Sequence, residues 1–144
     1  MNKRDNELWG VVYGGKAAYA REAGQRLAVA CGHILVVAPQ ALPYWQLAAN
    51  ILIPRQPGSL AAWLSVWQDT LAQSIIWLDG GQPAPEQRAI AALSASCGQQ
   101  RALAADNAVY FSRACFGVGQ RLYKQGQTEL GALLQVLKVP SLTA

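Results

Sequence analysis

Acidic and nucleophilic side chains are scarce in this chain, and that scarcity excludes most hydrolytic chemistry. Asp and Glu total 8 in 144 residues, and His33 is the single histidine. The carboxylates Asp5, Glu7, Glu22, Asp69, Asp79, Glu86, Asp106 and Glu129 fall on different segments, so none is paired for acid–base work. His33 begins an apolar run instead of following one, and no G-x-S-x-G turn presents a serine. A Ser-His-Asp arrangement therefore has no anchor. Cys31, Cys97 and Cys115 are odd in number and widely spaced, which implies no disulfide framework. Cys31-x-His33 resembles a metal half-site without a second half, so these cysteines read as core or helix-end residues. Long apolar runs are also missing. None reaches the roughly 18 residues that a bilayer span needs. The opening MNKRDNELWGVVYGG places acidic residues between its basic pair and a short apolar run, unlike a secretory signal. No membrane partner and a cytoplasmic location are the expectation.

What is abundant is apolar: 52% of residues are hydrophobic and 14% charged, the balance of a compact chain with a sizeable core. We read residues 1–144 as a single α/β domain. The net charge of +4 is modest and scattered. After Arg101 the basic residues Arg113, Arg121, Lys124 and Lys138 exceed Asp106 and Glu129, and read as solvated charge on loops. No basic run is interleaved with aromatics, so direct nucleic-acid contact is not expected.

Apolar runs alternate with amphipathic segments, the pattern of a mostly parallel sheet with crossover helices. Residues 8–13 (LWGVVY), 33–38 (HILVVA), 51–53 (ILI) and 74–78 (SIIWL) read as strands. The run from Lys16 to Cys31 reads as a helix with Ala20, Ala23, Leu27 and Ala30 on one face. Pro39 and Pro43 bracket a loop that opens a short helix carrying Tyr44 and Trp45. Ser59 is placed to cap a helix whose stripe is Leu60, Trp63, Leu64, Trp67 and Leu71. Pro85 opens another helix, with Ala89, Ile90 and Leu93 inward and Gly98 at its end. A fifth strand is expected over 101–105, and one or two antiparallel edge strands within 108–123. Thr128–Val139 reads as a final helix carrying Leu130, Leu133, Leu134 and Leu137.

The stretch LWGVVYGGK carries the most information about chemistry. A strand, a glycine turn, a lysine and then a helix open a P-loop protein, and Gly10, Gly15 and Lys16 satisfy G-x-x-x-x-G-K. Yet Ala17 stands where magnesium coordination needs a hydroxyl, and Gly10 lies inside the apolar run. Gly14-Gly15 alone is too short for a ring of backbone donors. Asp79 follows an apolar strand as a Walker B carboxylate does, so Gly15, Lys16 and Asp79 form a residual nucleotide site at most. No catalytic residue, metal or cofactor is expected. Tyr44 and Trp45, with Arg55 nearby, fall where a sheet's carboxyl edge receives ligands and partners.

The order of segments resembles the SulA/ImuA group, degenerate RecA-like proteins of the bacterial SOS response. The resemblance covers residues 8–105 and is carried by GVVY (10–13), HILVVAPQALPYWQLAAN (33–50), SLAAWLSVWQDTLAQSIIWL (59–78) and the segment 84–103. It implies a three-layer RecA-like, P-loop-type fold with a degenerate nucleotide loop. Residues 106–144 would then form a C-terminal extension of strand and helix. It further implies a non-catalytic inhibitor of cell division that binds FtsZ and blocks its polymerisation, usually as a homodimer. By matching position, Trp45 would anchor that contact, with Val37, Arg55 and Tyr44 in support. Two alternatives stay open: an ImuA-like accessory protein of DNA repair or recombination, and a nucleotide-binding regulator or structural subunit on a pseudo-P-loop fold. Residues 106–144 could cap a sheet edge, dimerise, or replace a leader.

Overall fold

The computed structural model describes residues 8–15, 17–38 and 50–142. They form a mixed six-stranded sheet in the order β3-β2-β1-β4-β6-β5. The strands are β1 (Leu8–Tyr13), β2 (His33–Val37), β3 (Asn50–Leu52), β4 (Ser74–Asp79), β5 (Ala102–Ala105) and β6 (Ala108–Ser112). Helices α1 (Ala17–Ala30), α2 (Ser59–Asp69), α3 (Gln87–Ala95), α4 (Phe116–Lys124) and α5 (Leu130–Leu137) cover it. β1 to β4 run parallel, and β6 is antiparallel to both β4 and β5.

Strand alternation sorts the core into two faces, because successive side chains point to opposite sides of a sheet. Leu8, Val12, Val36, Ile76, Leu78 and Tyr110 pack with Leu27 of α1 and with Ile90 and Leu93 of α3. Val11, Leu35, Val37, Ile75 and Phe111 pack with Trp63 and Trp67 of α2 and with Leu130 and Leu133 of α5. The result is a three-layer α/β arrangement, helices on both sides of one sheet. β1 and β4 carry near-continuous apolar sequence because both of their faces are covered.

The second half of the chain is woven into that sheet. β6 is hydrogen-bonded between β4 and β5 and is not an edge strand. Only one antiparallel strand lies within 108–123; the remainder is a turn and α4. Beyond α5, the chain lays itself along β5: Ala104 N–H donates to the Pro140 carbonyl (2.8 Å), and Leu142 N–H to the Ala104 carbonyl (2.7 Å). Of the roles open for the tail, covering a sheet edge is the one adopted, which removes unpaired strand donors.

Two local expectations are corrected. The N-cap of α2 is Gly58, not Ser59, and no side chain caps it. Ser59 Oγ instead accepts from Leu130 N–H (2.7 Å) and donates to Glu129 Oε2 (2.9 Å), so it serves the start of α5. The α2 stripe ends before Leu71, which is 88% exposed, because the helix stops at Asp69.

Arg113 is structural rather than solvated. Its guanidinium donates from Nε to the Ala72 carbonyl (2.8 Å) and from Nη2 to the carbonyls of Trp67 (3.0 Å) and Thr70 (3.1 Å). It also lies 5.4 Å from the centroid of the Trp67 ring. A cation thus meets the orphan carbonyls at the end of α2, where helix geometry leaves them unpaired. Arg113→Ala should lower the urea unfolding free energy by about 2–3 kcal/mol, since charged hydrogen bonds to half-buried carbonyls are lost. A loss below about 0.5 kcal/mol would show that water replaces the guanidinium.

Candidate functional site

In an open α/β sheet, ligands sit beyond the carboxyl ends of the parallel strands, where strand order reverses. Here that point is the junction of β1 and β4, because β1 leads outward to β2 while β4 lies on its other side. Two glycine pairs meet there. Gly14 N–H donates to the Val37 carbonyl (2.8 Å) and Gly80 N–H to the Tyr13 carbonyl (2.9 Å). A Cβ on Gly15 would lie 1.9 Å from the Gly80 carbonyl carbon, and one on Gly80 would lie 2.1 Å from the Gly14 oxygen. Gly15 also has φ +98°, a backbone region that side chains rarely tolerate. The loops after β1 and β4 are therefore in backbone-to-backbone contact.

Tyr13 and Asp79, paired in register at the ends of β1 and β4, flank this contact, and Arg55 shares a cavity with Tyr13. The Tyr13 ring stacks on Trp77, with centroids 5.2 Å apart, and packs against the α2 side of the core. Burial, then Glu129, then Asp79 push the Tyr13 phenol above its ordinary pKa, so it is a hydrogen-bond donor at neutral pH. Asp79 is exposed at the end of β4, and its Oδ1 accepts from Gly81 N–H (2.9 Å). Tyr13, Arg55, Gln56 and Gly58 line a cavity of about 250 Å³. Small-molecule pockets run to about 300–1,000 Å³, so this one suits a single ring system with the rest of a ligand along the strand ends.

The structure distributes the residues singled out from sequence unequally. Gly15, Asp79 and Arg55 belong to this edge. Val37 is fully buried in the sheet, so its side chain meets no partner, and only its carbonyl reaches the Gly14 turn. Lys16, Tyr44 and Trp45 lie outside the described residues. Gly10 sits within β1 opposite Ile34 and Ile76, not in the loop. Tyr13 and the Gly80–Gly81 turn were not singled out. Their roles arise from contacts between distant segments, and only the aromatic at a strand's last position gave a signal.

Cys31 and His33 do not form a metal half-site. Cys31 packs in the core beneath α1, and burial followed by the neighbouring Cys97 pushes its thiol up to about 12. His33 is exposed and stacks on Trp9, with centroids 4.4 Å apart. Among the described residues, no group of three or more His, Cys, Asp or Glu side chains could hold a metal ion. Among them, too, no helix is long and apolar enough to cross a membrane.

No protein-family model and no curated protein matches the chain. Solved structures do match. The protein Aq1419 from Aquifex aeolicus VF5 superposes with a TM-score of 0.68 at 13% identity, covering 94% of this chain and 85% of its own. Rv0371c from Mycobacterium tuberculosis H37Rv, in complex with manganese, gives 0.67 at 14% identity, covering 96% and 89%. A protein described as a nucleotide-diphospho-sugar transferase, from Desulfovibrio desulfuricans G20, gives 0.69 at 8% identity, covering 94% and 80%. A further match is the 4-diphosphocytidyl-2C-methyl-D-erythritol synthase of Anaerococcus prevotii DSM 20548, at 0.65 and 9% identity.

At these identities the likeness establishes the fold, and it corrects the resemblance to the SulA/ImuA group. The matching sheets are of the Rv0371c and nucleotide-diphospho-sugar transferase kind, and no family model supports the SulA/ImuA assignment. A strand, a glycine turn and a helix open sheets of more than one lineage, so that start could not discriminate between them. With the resemblance go the expectations of an SOS-response protein and a cell-division inhibitor. The expectation of no enzymatic activity is overturned with them, because transferase and synthase folds are among the matches.

Gly15→Ala should cost about 2–4 kcal/mol in unfolding free energy, combining a disfavoured φ with overpacking against Gly80. Gly14→Ala, where a Cβ meets nothing, should cost only about 1–2 kcal/mol. Equal losses would show that the loops separate easily. Because the folded state raises the Tyr13 pKa, the unfolded chain ionises first. Tyr13 therefore adds stability below about pH 10 that disappears as pH rises through its folded value. Tyr13→Phe should show a shallower alkaline loss of stability than wild type, and parallel curves would remove Tyr13 from the account.

Proposed function

We propose that the chain is a transferase-type enzyme that takes a nucleotide or nucleotide-linked sugar at the carboxyl ends of β1 and β4. The observation that carries this is a cavity lined by Tyr13 and Arg55 at the carboxyl end of the sheet, with the exposed Asp79 in register with Tyr13 on the neighbouring strand. A side chain at Gly15 or Gly80 would collide with the opposite turn, so the glycines let the two turns close on each other at these strand ends. Arg55 suits a phosphate, because a guanidinium pairs with it through two parallel hydrogen bonds. The protonated Tyr13 hydroxyl suits a phosphate or ribose oxygen. Asp79 has its second carboxylate oxygen available for a ligand hydroxyl. The transferase and synthase names among similar structures support this substrate class.

Manganese is present in the Rv0371c complex. In this chain Glu129 and Asp79 are the carboxylates acting on Tyr13, and Gly81 N–H occupies one Asp79 oxygen while Ser59 donates to Glu129. Among the described residues no group of three or more His, Cys, Asp or Glu side chains could hold a metal ion, so these donors do not fit an ion ligated wholly by protein.

Isothermal titration with CTP, GTP and UDP-glucose tests the proposal. At least one should bind, and Arg55→Ala should weaken it about tenfold or more, or about 1.4 kcal/mol, with unfolding unchanged. Folded protein that binds none of them, or Arg55→Ala that binds as wild type does, would overturn it.

A further inference from the structure

A second concavity, about 430 Å³ in volume, opens between α2, α4 and the segment that follows β3. Arg55 and Gln56 line both this groove and the cavity beside Tyr13, so the two spaces share a wall. Ile53 and Leu64 give the groove an apolar stretch, and Ile53 is 48% exposed. Lys124 stands on the α4 side, and Asp69 is the sole carboxylate of the lining.

Among the described residues, the cations of this groove have no ion-pair partner. The ion pairs among the described residues join Arg26 to Glu22 and Arg88 to Glu86, and neither Arg55 nor Lys124 has a partner there. Arg26 and Arg113, by contrast, are spent on main-chain carbonyls. Two unpaired cations against one carboxylate favour an anion, and a dianion satisfies both better than a single carboxylate does. A volume of about 430 Å³ lies within the range of small-molecule sites.

We infer that this groove binds a second, phosphorylated small molecule, with its phosphate held by Arg55 and Lys124 and its ring or chain over Ile53 and Leu64. Its role as co-substrate rests on the transferase function proposed above, whereas its binding does not. The shared Arg55 would then bring the two bound molecules to either side of one guanidinium.

Phenyl phosphate, a ring joined to a dianion, serves as the probe in amide chemical-shift titrations of the full chain. Saturable shifts should appear in residues 53–56, 61–68 and 120–124. Lys124→Glu, at an exposed position, should weaken binding about tenfold or more while CTP affinity stays within about twofold. Ser65→Trp should fill the groove and abolish the shifts. Should that variant not fold, Lys124→Glu alone decides. Shifts confined to residues 13–15 and 79–81, no saturation, or an unchanged Lys124→Glu would overturn the inference. Nucleotide failure with an intact phenyl phosphate response would remove the transferase function and leave the groove. The opposite result would remove the groove alone.

Discussion

The contact between Gly14-Gly15 and Gly80-Gly81 governs the functional end of this molecule. Gly14 N–H donates to the Val37 carbonyl of β2, and Gly80 N–H donates to the Tyr13 carbonyl of β1. That exchange ties the ends of β1, β2 and β4 together where parallel strands would otherwise diverge into separate loops. It also spends donors that a phosphate-wrapping loop would need. Under the proposed function anion recognition falls to side chains, and Arg55 and Tyr13 are the candidates among the described residues of the adjoining cavity. A short glycine turn and a side-chain-based ligand edge are two sides of one constraint.

Behind that edge the sheet is held rigidly from both faces. Leu27, Ile90 and Leu93 press on one side, and Trp63, Trp67 and Leu133 on the other, all essentially inaccessible to water. The Trp63 and Trp67 indole N–H groups are buried with no acceptor among the described residues. Edge-on contacts of Trp63 with Trp67 (5.6 Å) and Phe111 (5.3 Å) offset that cost. Arg113 holds the end of α2, which borders the 430 Å³ groove, and Ser59 ties the start of α2 to that of α5.

Much of this was legible in the amino-acid order, and the failures have definite causes. β1, β2 and β4 stood out because strands covered on both faces must be continuously apolar. The α2 stripe was clear because Leu60, Trp63, Leu64 and Trp67 repeat at helical spacing. α4 was hidden by Gly117 and Gly119, which weaken a helical pattern. Gly119 is required because a Cβ there would lie 2.5 Å from the Trp63 ring. The insertion of β6 between β4 and β5, and the crossing of Ser59 to α5, are long-range pairings that no local spacing records. At the site, Asp79 and Arg55 could be placed from flanking strand and proline signals. The lineage could not, because Gly14, Gly15 and Lys16 imitate a phosphate loop whose spacing the sheet does not use.

The central claim is that the carboxyl ends of β1 and β4 receive a nucleotide-linked ligand. Hydrogen–deuterium exchange of the full chain, with and without saturating CTP or UDP-glucose, tests it most directly. Slowed exchange in peptides spanning 13–15 and 79–82, with residues 102–112 unchanged, is the predicted result. Protection absent there, or confined to the opposite end of the sheet, would contradict it.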